Sequence, residues 1–208
     1  QNTDRFDYAA ASFGELPGEG FGVTQDRSVV HTRHILFRKG DRKERGVARN
    51  GYWLVVDELI PNDDNPRTYE AFFHLDVRDV AVDPGSKSIL SLNENGANLA
   101  IIPAADQGLT VKVIKGQEYP FVQGWIPSDQ HQVRPIPTLV FQRTAAGKAR
   151  FIYVFYPLRR GEALPVVSVE PVSIGPDAAR VRVRFRDGRI EELQVGKIPT
   201  WKEVKKGD

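Results

Sequence analysis

The sequence contains no cysteine, and this absence removes three kinds of chemistry at once. A chain without thiols forms no disulfide framework, offers no thiolate to a metal and has no cysteine nucleophile. The same absence does not distinguish the cytosol from the periplasm. Methionine is also missing, even at position 1. We therefore expect Gln1 to be either a mature end left by signal cleavage or the start of an excised fragment.

Long apolar runs and a strong net charge are missing as well. Even the apolar stretch at 151–158 has only the length of a strand and is followed by two arginines, so it is too short to span a bilayer. The 29 basic and 27 acidic residues leave a formal charge of +2. We therefore expect neither a nucleic acid nor a membrane as a partner. The sequence also has no nucleophile-elbow motif and no glycine-rich phosphate loop.

What the sequence does contain is a succession of short apolar or alternating runs, separated by Gly, Pro, Asn and Asp. No segment keeps a 3.6-residue apolar period over the length that a packed helix needs. The pattern predicts an all-β fold, a large antiparallel two-sheet β-sandwich (super-sandwich) of about ten to twelve strands. Without a linker or an internal repeat, 1–208 is predicted to be one domain, in which 1–25 are a lead-in segment and 200–208 a tail.

Turn residues between these runs predict three turns, of which the first and the third are predicted to close hairpins. They occur at 93–96, at Gly147 and at 187–188. Around the third turn, Val alternates with Arg, which predicts a strand pair with one solvated face. Its arginines at 182, 184, 186 and 189 are expected to oppose Glu191 and Glu192 across that face.

Three potential metal ligands, His31, Asp57 and His74, occupy successive strand-like runs at 28–39, 51–60 and 67–77. Residues two apart in a strand share a face. Each of the three has apolar neighbours on its own face, where an unpartnered imidazole or carboxylate is costly. If adjacent strands bring them together, two histidines and one aspartate suit Zn²⁺ with a water as fourth ligand. Mn²⁺ and Fe²⁺ are alternatives.

Two other interpretations of these residues remain open. Side chains of this kind often face water or cap a turn, and Arg33 could neutralise Asp57 in place of a metal. His34 lies on the opposite face from His31 and is the weaker candidate ligand.

Arg33, Arg27 and Trp125 are the candidate substrate-binding residues. A guanidinium binds carboxylate or sulfate through two hydrogen bonds, and an indole stacks on a sugar ring. The alternatives are a tryptophan in the core or at a sheet edge, and arginines that are solvated or paired with Asp26 or Asp57.

Several short motifs together resemble one protein family. They are HTR at 31–33, YWLVVD at 52–57, YEAFFHL at 69–75, QGW at 123–125 with a serine three residues later, the strand at 135–141, and YVFYP at 153–157. In this order they resemble the β-sandwich (C-terminal) domain of the heparinase II/III-like polysaccharide lyases, which include heparin, heparan sulfate and alginate lyases. The resemblance covers about residues 25 to 160.

This resemblance implies a function and a second domain. Such lyases join an α/α-toroid to an antiparallel β-sandwich and cleave acidic, uronate-containing polysaccharides by β-elimination in the groove between them. It implies zinc at His31, Asp57 and His74, and a periplasmic or secreted location. In the family, the catalytic Tyr, Asn and one His lie on the toroid. Some members add a catalytic histidine just before the first metal ligand, where this chain has Val29.

We therefore expect a lyase β-sandwich that is inactive without a toroid domain. A glycosaminoglycan or alginate is the expected class of substrate. The alternatives are a non-catalytic carbohydrate-binding module and a structural β-sandwich, in which a metal would only hold three strands together.

Overall fold

The computed structural model describes residues 1–14, 28–41, 50–129, 131–175 and 178–204, without the side chain of residue 129. These residues form sixteen β-strands and no helix, so none of their elements is a helix that could cross a membrane. The predicted all-β class is confirmed. The strands are β1 (Phe6–Phe13), β2 (Val29–Arg38), β3 (Tyr52–Pro61), β4 (Pro66–His74), β5 (Asp79–Val82), β6 (Ile89–Leu92), β7 (Asn98–Pro103), β8 (Thr110–Ile114), β9 (Trp125–Asp129), β10 (Gln132–Pro135), β11 (Thr138–Ala146), β12 (Ala149–Leu158), β13 (Val166–Ile174), β14 (Ala178–Phe185), β15 (Ile190–Gly196) and β16 (Thr200–Val204).

A seven-stranded sheet in the order β1-β2-β3-β12-β7-β6-β5 forms the middle of the sandwich. A four-stranded sheet, β13-β14-β15-β16, packs on one of its faces, and a three-stranded sheet, β4-β11-β8, packs on the other. Strands β9 and β10 form a separate hairpin. The fold is therefore sandwich-like, but with three layers and more strands than the two-sheet prediction allowed.

Strand β12 shows why the sequence builds a middle layer. It pairs with β3 on one side and β7 on the other. Its side chains alternate between two cores. Ile152 and Val154 lie in the first core, between the central and four-stranded sheets. Phe151 and Tyr153 lie in the second core, between the central and three-stranded sheets. A strand buried on both faces needs apolar residues at every position, which explains the unbroken apolar run. Each such buried side chain contributes about 1.5–3 kcal/mol.

The three predicted turns are confirmed. The first and the third close hairpins, whereas the second connects strands of two different sheets. Residues 93–96 join β6 to β7, Gly147 joins β11 to β12, and Gly188 joins β14 to β15. Gly147 has φ +68° and Gly188 has φ +83°, a backbone region that glycine enters without steric cost.

Both predicted ends of the domain differ from the structure. The predicted lead-in 1–25 contains strand β1, which pairs with β2 through eight residues. The predicted tail 200–208 contains strand β16, which pairs with β15. Alanines at 9, 10 and 11 have a low strand propensity and hide β1 in the sequence. Residues 15–27 and 205–208 lie outside the described residues.

The predicted solvated arginine face is only partly correct. Arg184 pairs with Glu170 at the surface, and the partly exposed Arg182 pairs with the buried Glu192. Arg189 and Glu191, by contrast, are buried and paired with each other.

Glu191 is the centre of a buried polar network between the seven-stranded and four-stranded sheets. The Tyr52 hydroxyl donates to Glu191 Oε2 at 2.6 Å, and the Trp201 indole donates to the same oxygen at 2.8 Å. Arg38 Nε lies 3.4 Å from this oxygen, while Arg189 bonds Oε1. Burial raises the pKa of Tyr52, so its hydroxyl keeps the proton that it donates. Three hydrogen-bond donors and the nearby Arg38 guanidinium allow the carboxylate to be fully buried.

Replacing Glu191 with glutamine should lower the free energy of unfolding by about 3 kcal/mol, because two guanidinium groups lose their buried ion-pair partner. Urea denaturation of Glu191→Gln against the parent chain measures the loss. Glu94→Gln is the matched control, since Glu94 lies on an exposed turn, and its effect should stay within about 0.5 kcal/mol. Equal effects of the two substitutions would contradict the role given to Glu191.

Candidate functional site

The central sheet is wider than the layer that covers its second face. The three-stranded sheet packs on β12, β7 and β6, whose side chains form the second core. On the same face, Phe13 of β1 and Ile35 of β2 remain 62% and 38% exposed. We call this part, which no other layer of the described residues covers, the open face; it is made by β1, β2 and the adjoining residues of β3.

Strand register arranges the open face in rows across the three strands. Asp7, Phe37 and Trp53 form one row, and Ala9, Ile35 and Val55 form the next. Ala11, Arg33 and Asp57 form a third row, and Phe13, His31 and Leu59 a fourth. The face therefore runs from an aromatic end to a charged end. The predicted sharing of a face by His31, Arg33, Ile35 and Phe37 is confirmed.

The aromatic end consists of Phe37 stacked on Trp53, with ring centroids 4.8 Å apart. Gly51 permits this stack. A Cβ on Gly51 would lie 2.8 Å from the Phe37 ring and 2.8 Å from the Arg38 carbonyl oxygen, closer than carbon atoms approach in proteins. Both rings are partly exposed and offer an apolar surface on the open face.

The charged end is organised by the buried carboxylate of Asp57. Arg33 donates from Nε to Oδ1 at 2.6 Å and from Nη2 to Oδ2 at 2.9 Å, so the pair is bidentate. His31 Nε2 lies 2.8 Å from Oδ1. The Asp57 side chain is 3% exposed, whereas those of Arg33 and His31 are 43% and 39% exposed. Hydrogen bonding to Asp57 raises the pKa of Arg33, which therefore stays charged.

This geometry leaves one edge of Arg33 available to a ligand. Nε and Nη2 are taken by Asp57, and Nη1 has no hydrogen-bond partner among the described residues. A guanidinium held from one side by a buried carboxylate loses little freedom when it binds an anion from the other side. The site can therefore present an oriented positive charge.

Tyr153 lies close enough to this ion pair to interact with both charges. Its side chain is fully buried, and its hydroxyl has no hydrogen-bond partner among the described residues. Burial is the main cause that raises the pKa of Tyr153, and the negative charge of Asp57 adds to it. The hydroxyl is therefore un-ionised.

His74, the third predicted metal ligand, lies on a different sheet. It is at the end of β4, where Phe73 points into the second core and His74 is exposed with Phe72. Its Nε2 lies 3.3 Å from the side-chain nitrogen of Gln123. The described residues contain no group of three or more His, Cys, Asp or Glu side chains placed to hold a metal. His31 and Asp57 are brought together, with Arg33 as the third member.

The other two predicted substrate-binding residues are not part of the open face as described. Trp125 lies on β9, outside the three layers, and its indole donates to the Gln117 carbonyl at 3.0 Å. Its ring passes over Gly116, so it supports the 116–124 loop. Arg27 lies outside the described residues.

Sequence reasoning does not identify Phe13, Ala9 and Ala11 as members of the face, because it predicts a lead-in segment where β1 lies. The signal was present in the alternation of residues 6 to 13, but small alanines made it weak. Phe37 and Trp53 could be assigned to faces by parity, but their stacking depends on strand register.

No protein-family model and no curated protein sequence matches this chain. Solved structures do match it. The architecture is that of the β-sandwich of heparinase-type lyases, so the predicted resemblance is confirmed at the level of the fold.

Two of these structures illustrate the similarity. The heparan sulfate lyase HepC from Pedobacter heparinus superimposes with a TM-score of 0.70 at 15% sequence identity, over 94% of this chain and 27% of that one. A heparinase III superimposes with a TM-score of 0.68 at 14% identity, over 94% and 26%. The chain therefore spans about a quarter of the length of the enzymes that it resembles.

The predicted zinc, with Mn²⁺ or Fe²⁺ as alternatives, is tested by the metal content of the purified chain and of Asp57→Asn. The described arrangement predicts no stoichiometric metal in either protein, because Arg33 already neutralises Asp57. Asp57→Asn should instead lower the melting temperature, since a buried charged pair is broken. One metal ion per chain that is lost in Asp57→Asn would favour the zinc prediction. Chelator treatment of the parent chain is the control.

Proposed function

We propose that this chain is the β-sandwich domain of a polysaccharide lyase that acts on acidic, uronate-containing polysaccharides by β-elimination. The observation that carries the proposal is the match of 94% of the chain to the heparan sulfate lyase HepC. The open face, with its oriented Arg33, is the surface that we assign to the polysaccharide.

The chemistry of the face suits such a substrate. β-Elimination needs a base to remove the C5 proton, an acid to protonate the leaving oxygen, and neutralisation of the uronate carboxylate as the enolate-like intermediate forms. Arg33 supplies a fixed positive charge for the carboxylate. The stacked rings of Phe37 and Trp53 supply an apolar surface for a sugar ring.

The acid and base are assigned to a partner domain, an α/α-toroid. The Tyr153 hydroxyl is fully buried, so it is not placed to exchange protons with a substrate on the open face. The assignment follows the family resemblance, in which the catalytic Tyr, Asn and one His lie on the toroid. Val29, at the position where some lyases carry a further histidine, has no titratable group. No step of the proposed chemistry passes through a metal, because the predicted ligands are not assembled.

A periplasmic or secreted location and an alginate-type substrate stay predictions of the family resemblance. Among acidic polysaccharides, a glycosaminoglycan is the substrate class that we favour, because the similar solved structures are heparan sulfate lyases and heparinases.

Substituting Arg33 with glutamine should weaken binding of a heparan sulfate oligosaccharide by about tenfold, the value of one charge-assisted contact. Isothermal titration calorimetry on the chain measures this. Arg78→Gln is the matched control, because it removes the same charge from a side chain that is 91% exposed outside the open face. Its effect should be small and should vanish at high salt.

A second substitution keeps the test valid if Arg33→Gln disturbs folding. Ala9 is exposed on the open face, and Ala9→Glu should also weaken binding by placing a negative charge beside the polysaccharide.

Equal losses in Arg33→Gln and Arg78→Gln would contradict the assigned surface. An absence of binding would favour a structural module. Release of unsaturated uronate by the chain alone would contradict the assignment of acid and base to a toroid domain.

A further inference from the structure

A cavity lies on the face of these strands opposite the open face, between the central sheet and the four-stranded sheet. Its volume is about 430 Å³, within the usual range of small-molecule sites. We call it the back pocket. Its polar lining consists of Tyr8, Thr32, His34, Glu58, Arg150 and Lys197.

Small residues create this space. Ala10 lies on the central-sheet side, while Ala178, Ala179 and Gly196 lie on the side of the four-stranded sheet. Gly196 has φ +120°, a conformation that strongly favours glycine. Larger side chains at the same positions would close the gap between the two sheets. The pocket therefore follows from backbone geometry as well as from composition.

His34 lines the pocket and is hydrogen-bonded to Tyr8. Its Nδ1 lies 2.7 Å from the Tyr8 hydroxyl, which also accepts a hydrogen bond from the Gly196 backbone N–H at 3.2 Å. When the Tyr8 hydroxyl donates its own hydrogen to Nδ1, the proton of neutral His34 lies on Nε2. Burial lowers the pKa of His34, which favours this neutral form, against the opposing effects of Glu58 and Asp57.

The charged wall of the pocket offers both an acceptor and an excess of positive charge. Arg150 Nε and Lys148 Nζ each lie 2.6 Å from Glu58 Oε1. These contacts fall on one carboxylate oxygen and leave Oε2 for a ligand hydroxyl. Two cationic groups thus contact one carboxylate, and Lys197 lines the same pocket. A negatively charged ligand is therefore attracted.

We propose that the back pocket binds a small hydroxylated carboxylate of the size of one hexuronate. His34 Nε2–H and Lys197 meet the ligand carboxylate, and Glu58 accepts from a ligand hydroxyl. The pocket itself is independent of the open face, but the choice of a hexuronate rests on the proposed function. The back pocket would then hold a single sugar acid, on the opposite side of the sheet from the polysaccharide.

Glucuronate, glucose and sulfate distinguish the recognised chemistry. In a titration followed by NMR of the histidine side chains, glucuronate should shift the His34 signal, which is assigned through His34→Gln. Glucose has hydroxyls without a carboxylate, and sulfate has a charge without carbon-bound hydroxyls, so each should produce at least a tenfold weaker response. Lys197→Gln should weaken glucuronate binding several-fold.

A substitution that fills the back pocket with an apolar side chain tests the proposal most directly. Ala10 is exposed on β1 and lines the back pocket, so Ala10→Leu should abolish the glucuronate response without removing a polar group. Ala9→Leu is the matched control on the opposite face of the same strand, and it should leave the response unchanged. No response in the parent chain, an unchanged response in Ala10→Leu, or equal responses to glucuronate and glucose would each overturn the proposal.

The two proposals can fail separately. Ala10→Leu should retain heparan sulfate binding on the open face, and Arg33→Gln should retain glucuronate binding in the back pocket. Loss of both ligands in either variant, with the fold intact by circular dichroism, would overturn the separation of the two sites.

Discussion

The unequal width of the sheets is the constraint on which the rest of the structure depends. Seven strands form the middle layer, but only three pack on its second face. The strands at the centre must therefore be apolar on both faces, while β1 and β2 need not be. The open face follows directly from this mismatch, and so does its position beside the second core.

Carboxylates with little or no exposure mark the places where this β architecture departs from an apolar core. Asp57, Glu58 and Glu191 lie on β3 and β15, and each is held by at least one guanidinium. Glu191 is enclosed, so its network joins two layers. Asp57 instead lies under partly exposed partners and orients Arg33 towards the surface. The same kind of pair thus stabilises packing in one place and prepares a binding group in another.

The sequence predicted the strands with the clearest alternation and their turns. Register was harder to predict, because it depends on contacts between distant strands. Parity correctly placed His31 and Arg33 on one face, but could not show that β4 leaves the central sheet and joins β11. His74 therefore lies away from Asp57, although the three residues occupy successive strands. Arg33 as partner of Asp57, the alternative to a metal, is the contact that the structure describes.

The buried pair of Arg189 and Glu191 was missed for a related physical reason. Alternating charges in a hairpin usually face water, and the sequence does not show that Tyr52 and Trp201 approach from other strands. The β1 strand was missed because alanine gives almost no strand signal. Local patterns therefore identified elements, whereas the sites required the tertiary arrangement.

The central claim, that the open face binds an acidic polysaccharide, is tested most directly by the three tryptophan indole signals of the chain. Trp53 lies on the open face, Trp125 on the β9–β10 hairpin, and Trp201 beside Glu191. In an NMR titration with a heparan sulfate oligosaccharide, the account predicts a shift of the Trp53 signal while those of Trp125 and Trp201 stay in place. A shift confined to Trp125, or an unchanged Trp53 signal at saturating oligosaccharide, would contradict it.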